Sequence, residues 1–236
     1  MKRFATAAFA AAALLGASCA FAQAPAPAKA SSGGWTSKLD GLTFSVDGGV
    51  TMTKKTGGLA GGEITTKEYW ANSNSYRRRL SFSIEGGWMS SVLNAHRIDA
   101  ANAIANYLAQ TQGQTASASV KVPAGYGAVN ARYRLYTKPR YRVYALVGGG
   151  FGVTEPKTTF RLAGTDVSGS VGQYSVTVGK DLGGSSLGGL VNAGLGATLP
   201  CGSKWVGDVS YRLTPLFTKG QTTVVNRINF GFGRKF

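Results

Sequence analysis

The chain is short of cysteine, histidine and acid: its 236 positions hold 2 Cys, 1 His and 10 Asp plus Glu. Each shortage excludes something. His96 has Asp99 near it but no second imidazole and no paired thiols, so the ligand set of a zinc-type metal site is missing. A hydrolase would need that histidine beside an activated serine, and Ser90 and Ser91 precede it without a matching motif. The run Gly148-Gly149-Gly150-Phe151-Gly152 fails as a dinucleotide fingerprint, because Val153 stands at the third glycine position and no helix follows. Strand curvature and close backbone approach account for those glycines better. No cofactor and no enzymatic activity are expected. Apolar runs of membrane-helix length are also lacking after residue 22.

What is present begins with an export signal. Lys2 and Arg3 make a positive start, Phe4 to Gly16 is rich in Ala and Leu, and Ala20-Phe21-Ala22 fits an A-x-A cleavage site. Cys19 invites a lipoprotein reading, but Gly16 stands where such sites usually carry Leu. Removing residues 1–22 leaves 214 residues and one cysteine, Cys201, which excludes an internal disulfide framework. Lys2 and Arg3 leave too, so 24 basic residues face 10 acidic ones, a net charge of +14. Such a charge attracts lipid headgroups and lipopolysaccharide, and export removes nucleic acid as a partner. Residues 23–41 open on QAPAPAKASSGG, a flexible Pro/Ala/Ser/Gly-rich lead-in on the periplasmic side. Glycine, at 34 residues, is about twice its usual share. Only helices and closed barrels span a bilayer, so a membrane form of this chain must be a barrel.

From residue 42 to 236 the pattern alternates. Leu42, Phe44, Val46, Val50 and Met52 share one face, against Thr43, Ser45, Asp47 and Thr51. The same alternation recurs from Leu80 to Trp88, Val129 to Tyr136, Val143 to Val153, Val191 to Leu199 and Trp205 to Leu213. The last stretch sets Val224, Ile228, Phe230, Phe232 and Phe236 against Arg227, Asn229, Gly231 and Gly233. An even strand number is expected, and the missing strand is placed at Gly62–Ala71, joined to the next by a turn at Asn72–Ser75. The expected fold is all-β, an antiparallel up-and-down transmembrane β-barrel of about eight strands.

Connection lengths fit that topology. Asn72–Ser75, Thr137–Arg140 and Pro200–Ser203 read as tight inner turns, and Ser90–Gly125 and Thr154–Leu187 as long outer connections. Lys55–Gly61 and Thr214–Gln221 read as shorter outer ones. Within the first long connection, Leu93, Ala101, Ile104, Ala105 and Leu108 outline an amphipathic helix over Leu93–Gln110, although a loosely structured loop is the preferred reading. Trp70, Tyr141, Trp205 and Phe236 mark the inner strand ends, and Trp88 and Phe151 the outer ones, as girdles of interfacial aromatics would. Arg78 and Arg234 fall on the lipid side, but at strand ends.

The polar faces carry the most chemistry. Asp47, Glu85 and Asp208 are expected in the lumen with Arg79, Arg132, Arg134, Arg142, Arg212 and Arg227. Guanidinium–carboxylate pairing suits such a core. Three acids against six bases leave positive charge over, read either as a plug completed by water and Tyr hydroxyls or as a narrow anion-favouring pore.

Tyr126–Val153, the stretch LVNAGLGATLPCGSKWVGDVSYRL and the closing INFGFGRKF resemble the opacity-type outer-membrane β-barrel family of Gram-negative bacteria. The resemblance implies a small surface barrel acting as adhesin or envelope stabiliser, with its outer loops on a host or surface ligand. It also implies that Ile228, Phe230, Phe232 and Phe236 form the C-terminal signal read by the barrel-assembly machinery. Lipid A-modifying enzymes also occur on small barrels and are the remote alternative.

Overall fold

The chain runs β1 (Thr43–Met52), β2 (Thr56–Thr65), β3 (Leu80–Met89), α1 (Ala95–Gln112), β4 (Ala116–Lys121), β5 (Ala124–Lys138) and β6 (Tyr141–Thr154). It continues through β7 (Lys157–Leu162), β8 (Thr165–Asp166), β9 (Ser186–Cys201), β10 (Trp205–Thr218) and β11 (Gln221–Lys235). This computed structural model describes residues 41–68, 79–179, 182–218 and 221–236. The signal expected at residues 1–22, residues 23–40 of the expected lead-in, Trp70, Arg78 and the turn expected at Asn72–Ser75 lie outside the described residues.

Eight strands close into an antiparallel barrel, in the order β1-β2-β3-β5-β6-β9-β10-β11, with β11 returning to β1. The seam is paired along the whole of β1, from Thr43↔Lys235 to Met52↔Asn226. Closure leaves the barrel sheet no edge, so its backbone groups are satisfied without water. The faces segregate as the alternation requires. Val46, Ile84, Val129, Phe151 and Leu195 are exposed on the outside, while Asn130, Asn192, Arg212 and Arg227 are buried within. Apolar outside and polar inside is the inverse of a water-soluble β-protein. Among the described residues no helix is long and apolar enough to cross a membrane.

Several boundaries differ from expectation. The second strand is Thr56–Thr65, six residues ahead of Gly62–Ala71, and the first outer connection shrinks to residues 53–55. The Gly-rich stretch Gly57–Gly61 reads as a loop, but it pairs with β1 through its length. The charged Lys67 and Glu68 fall just beyond the strand. Similarly, β10 runs to Thr218, through what read as a connection from Thr214. Within that stretch Pro215 pairs with Val224 on β11, and the β9 ladder skips positions 214 and 215, where proline has no N–H to give. Tyr136, expected inward, is exposed, because a bulge between Arg134 and Tyr136 shifts the register and reverses the parity. In β6, side chains at Gly148 and Gly150 would collide with the carbonyl oxygens of Val129 and Gly127, so close strand approach is the reason for glycine there.

The long outer connections are structured, contrary to the loop reading. Residues 95–112 form a helix whose N-cap, Asn94, accepts from the Arg97 N–H at 3.0 Å, and whose C-cap, Gly113, is left-handed at φ 64°. β4 and β7 pair from Ala116↔Leu162 to Lys121↔Lys157, which ties the two connections into one small sheet with β8. Ala101 and Leu108 of α1, Val120 of β4 and Phe160 of β7 bury a common core, and that core continues into the barrel through Leu59, Met89, Leu190, Leu216 and Val225. The outer end of the lumen is therefore filled with hydrocarbon.

Candidate functional site

The inward residues of mid-barrel form one charged network. Arg212 lies between two glutamates: its Nη2 is 2.9 Å from Glu63 Oε2 and its Nη1 pairs with Glu85 Oε2. Arg227 Nη2 is 3.0 Å from Glu85 Oε1 and 3.0 Å from Asn192 Oδ1. Asn192 donates to Glu85 Oε1 at 2.7 Å and to Asn130 Oδ1 at 3.0 Å, and accepts from Thr214 Oγ1 at 2.8 Å. Arg132 Nη2 meets Glu63 Oε2 at 2.5 Å, and its Nη1 stands 3.6 Å from Asp208. Aromatic rings complete the shell. The Arg132 guanidinium lies 4.6 Å from the Tyr144 ring centre, and Arg227 lies 4.7 Å from that of Tyr126. Tyr144 donates to the Asp208 carboxylate at 2.7 Å.

Local sequence explains who reaches whom. Each network residue sits at an inward position of its strand, so the pleat aims it at the barrel axis. Asp47 is buried opposite Gly231, where any side chain would run into its Oδ1. Of the residues expected to share the lumen, Asp47, Glu85, Arg132, Asp208, Arg212 and Arg227 lie at mid-barrel. Arg134 and Arg142 sit further in, at the inner mouth, where Arg134 Nη1 is 2.8 Å from Glu68 Oε2. Arg79 is half-buried just before β3 and takes part in none of these pairs.

Glu63 falls inside the strand expected at Gly62–Ala71, but setting that strand too far along took in Lys67 and Glu68, a charge on each face, and left its inward side unreadable. The signal was there: Leu59, Gly61, Glu63 and Thr65 alternate with Gly58, Ala60, Gly62 and Ile64. Counting it changes the charge balance. Four carboxylates, on Asp47, Glu63, Glu85 and Asp208, surround the three buried guanidiniums of Arg132, Arg212 and Arg227. Mid-barrel thus carries no excess of positive charge.

His96 is exposed, with its Nδ1 2.9 Å from Gln221 Nε2. Ser90 Oγ accepts from the Gly58 N–H at 2.7 Å. Cys201 is buried at the end of β9, where its Sγ lies 3.5 Å from the Leu199 carbonyl oxygen.

The terminal aromatics face outward at the inner rim. Phe236 meets Phe44 edge-on at 5.4 Å, Trp205 stacks on Phe232 at 5.2 Å, and the Arg234 guanidinium lies 5.1 Å from the Phe236 ring centre. Trp88 and Phe151 are exposed toward the outer end. A closed barrel with an apolar belt, aromatic rims and a polar, filled lumen is a transmembrane β-barrel of the bacterial outer-membrane kind.

No protein-family model matches the sequence, and no match is found among curated proteins. Among solved structures the chain is similar to Neisserial surface protein A, at 12% identity over 84% of this chain and 98% of that one, TM-score 0.49. It is also similar to the attachment invasion locus protein of Yersinia pestis, at 12% identity over 84% and 100%, TM-score 0.43. A major outer membrane protein from Thermus thermophilus is similar at 12% identity over 83% and 99%, TM-score 0.44.

Proposed function

We propose that this chain is a non-enzymatic surface or structural protein of a Gram-negative outer membrane, of the opacity type, whose outer subdomain meets an external partner in adhesion or envelope integrity. It is exported by a cleaved signal at residues 1–22 and carries residues 23–41 as a lead-in. The observation that carries this reading is the outer subdomain itself. Closing a barrel requires only short hairpins, yet here two long connections pair through β4 and β7 and bury a shared core. Ordered structure held by a rigid scaffold on its outer face is where such proteins place recognition.

Its membrane contacts follow from the same chemistry. Exposed Lys121 and Lys157 stand directly opposite each other on β4 and β7, with Arg161 nearby on β7. Like charges so placed favour an anion between them, and lipopolysaccharide phosphates supply one. Ile228, Phe230, Phe232 and Phe236 form the outward face that the barrel-assembly machinery would read during insertion.

The ionic middle and the hydrocarbon outer end support a lumen that does not conduct. The test uses two forms of the refolded mature chain, one intact and one with residues 94–121 and 157–183 each replaced by a short turn. The intact protein is expected to insert silently into a planar bilayer and to bind the bacterial or host surface it serves; the shortened form is expected to insert without binding. Reproducible, anion-favouring conductance steps from the intact protein would revive the channel. Full binding by the shortened form would overturn the recognition role.

A further inference from the structure

At its inner end the lumen opens into a cavity of about 340 Å³ whose floor is Arg132, Tyr144 and Asp208. Two of its guanidiniums are already engaged, Arg132 with Glu63 and Asp208, and Arg134 with Glu68. Three further cations line the same space, Lys67, Arg142 and Lys235, and none of them makes an ion pair with a described residue. Thr43, Thr65 and Ser81 add hydroxyls that hydrogen-bond no other described residue. The terminal residue, Phe236, borders the cavity, and among the described residues its carboxylate is the one anion there outside these ion pairs.

Among the described residues, three cations outside these ion pairs face one further carboxylate, which leaves a positive surplus around one concave space of ligand size. The sequence of the lead-in adds no net negative charge, since Gln23–Asp40 holds Lys29 and Lys38 against Asp40 alone. We propose that this mouth binds a small phosphate-bearing anion. A phosphate monoester near pH 7 carries about −1.5 to −2 charges on three strong acceptor oxygens, which suits several cations and hydroxyl donors better than a single carboxylate would. The phosphate comes from a water-soluble molecule or from a lipid headgroup of the adjacent leaflet. That the mouth faces the periplasm rests on the orientation proposed above; the binding does not.

The test is isothermal titration of the refolded mature chain in detergent with pyrophosphate, at fixed ionic strength held by chloride. Saturable one-site binding is expected. It should weaken about tenfold in Arg142→Ser/Lys235→Ser, which loses two charge-assisted contacts, and stay unchanged in Lys55→Ser, exposed in the turn between β1 and β2 at the other end of the barrel. Strand content by circular dichroism checks that the variants fold, and Lys67→Ser alone provides a milder second variant expected to weaken binding in the same direction. Competition by glycerol phosphate assigns a soluble ligand, and competition by short-chain phosphatidic acid alone assigns a headgroup. Absence of saturable binding, or equal affinity in both inner-mouth variants and the unaltered chain, overturns the proposal. A channel would leave this result unaffected, so its outcome is separate from that of the recognition role.

Discussion

Around Arg212 the lumen is filled by ions and amides, and around Leu108 and Phe160, where the barrel meets its outer subdomain, by hydrocarbon. Both regions exclude space, but they tolerate change differently. Hydrocarbon packing is non-directional, so a lost methylene costs the contacts it made and the cavity it leaves. The ionic region has no such grading. Glu63 and Glu85 are directly opposite on β2 and β3, and Arg212 and Arg227 directly opposite on β10 and β11. Each hairpin alone would set like charges side by side, which is unfavourable. Only when the barrel closes does Arg212 come between the two glutamates and turn two repulsions into one network.

The largest effect should therefore come from Arg212→Leu. Two buried carboxylates would lose a partner, and unfolding in urea from detergent or vesicles should show a loss of about 3–5 kcal/mol. Adding Glu85→Gln should restore part of it, because a neutral amide needs no guanidinium. Unaltered stability in the single variant would mean the mid-barrel pairs are not coupled to folding.

Leu108→Ala tests the other region. It should cost about 2–3 kcal/mol, confined to the subdomain. Hydrogen exchange should quicken for α1 and β7 amides while the β10 and β11 amides keep their protection. Equal loss of protection in barrel and subdomain would mean that the two hydrocarbon layers unfold as one.

The smallest effect concerns Asp166, exposed at the β7–β8 turn. Its carboxylate is held below the usual range because the Ser168 hydroxyl donates to Oδ1 at 2.5 Å and the Ser168 N–H at 2.9 Å. A depressed carboxyl stabilises fully above its unfolded pKa, about 3.9, and that contribution disappears as pH falls through the lower folded value. Acid should loosen this turn, as read by exchange at Val167 and Ser168, and Asp166→Asn should flatten the dependence without altering the barrel.

Much of the barrel was legible in the chain because its signal is local. Alternation in β1, β3, β9 and β11 placed Val46, Ile84, Val191 and Phe232 outside and Asp47, Glu85, Asn192 and Arg227 inside, since a pleat turns every second side chain the same way. The pattern misled at two points. The Gly57–Gly61 stretch hid the first half of β2, and the residues from Thr214 hid the end of β10, because neighbouring strands override weak propensity. The outer helix was visible as an apolar period, but the β4–β7 pairing that gives it something to pack against joins distant connections.

By itself, then, the sequence determined strands apolar on one side and polar on the other, closing on an aromatic-rich terminal strand, and it raised the expectation of an export signal. Periodicity, charge and signal composition are readable within a few residues of one another. Tertiary structure decided the rest. Which carboxylate meets which guanidinium, where a bulge reverses Tyr136, and how two connections become one subdomain are set by contacts between distant positions, as from Arg212 to Glu63, 149 positions apart. Such contacts come into being only when the ring of strands is complete.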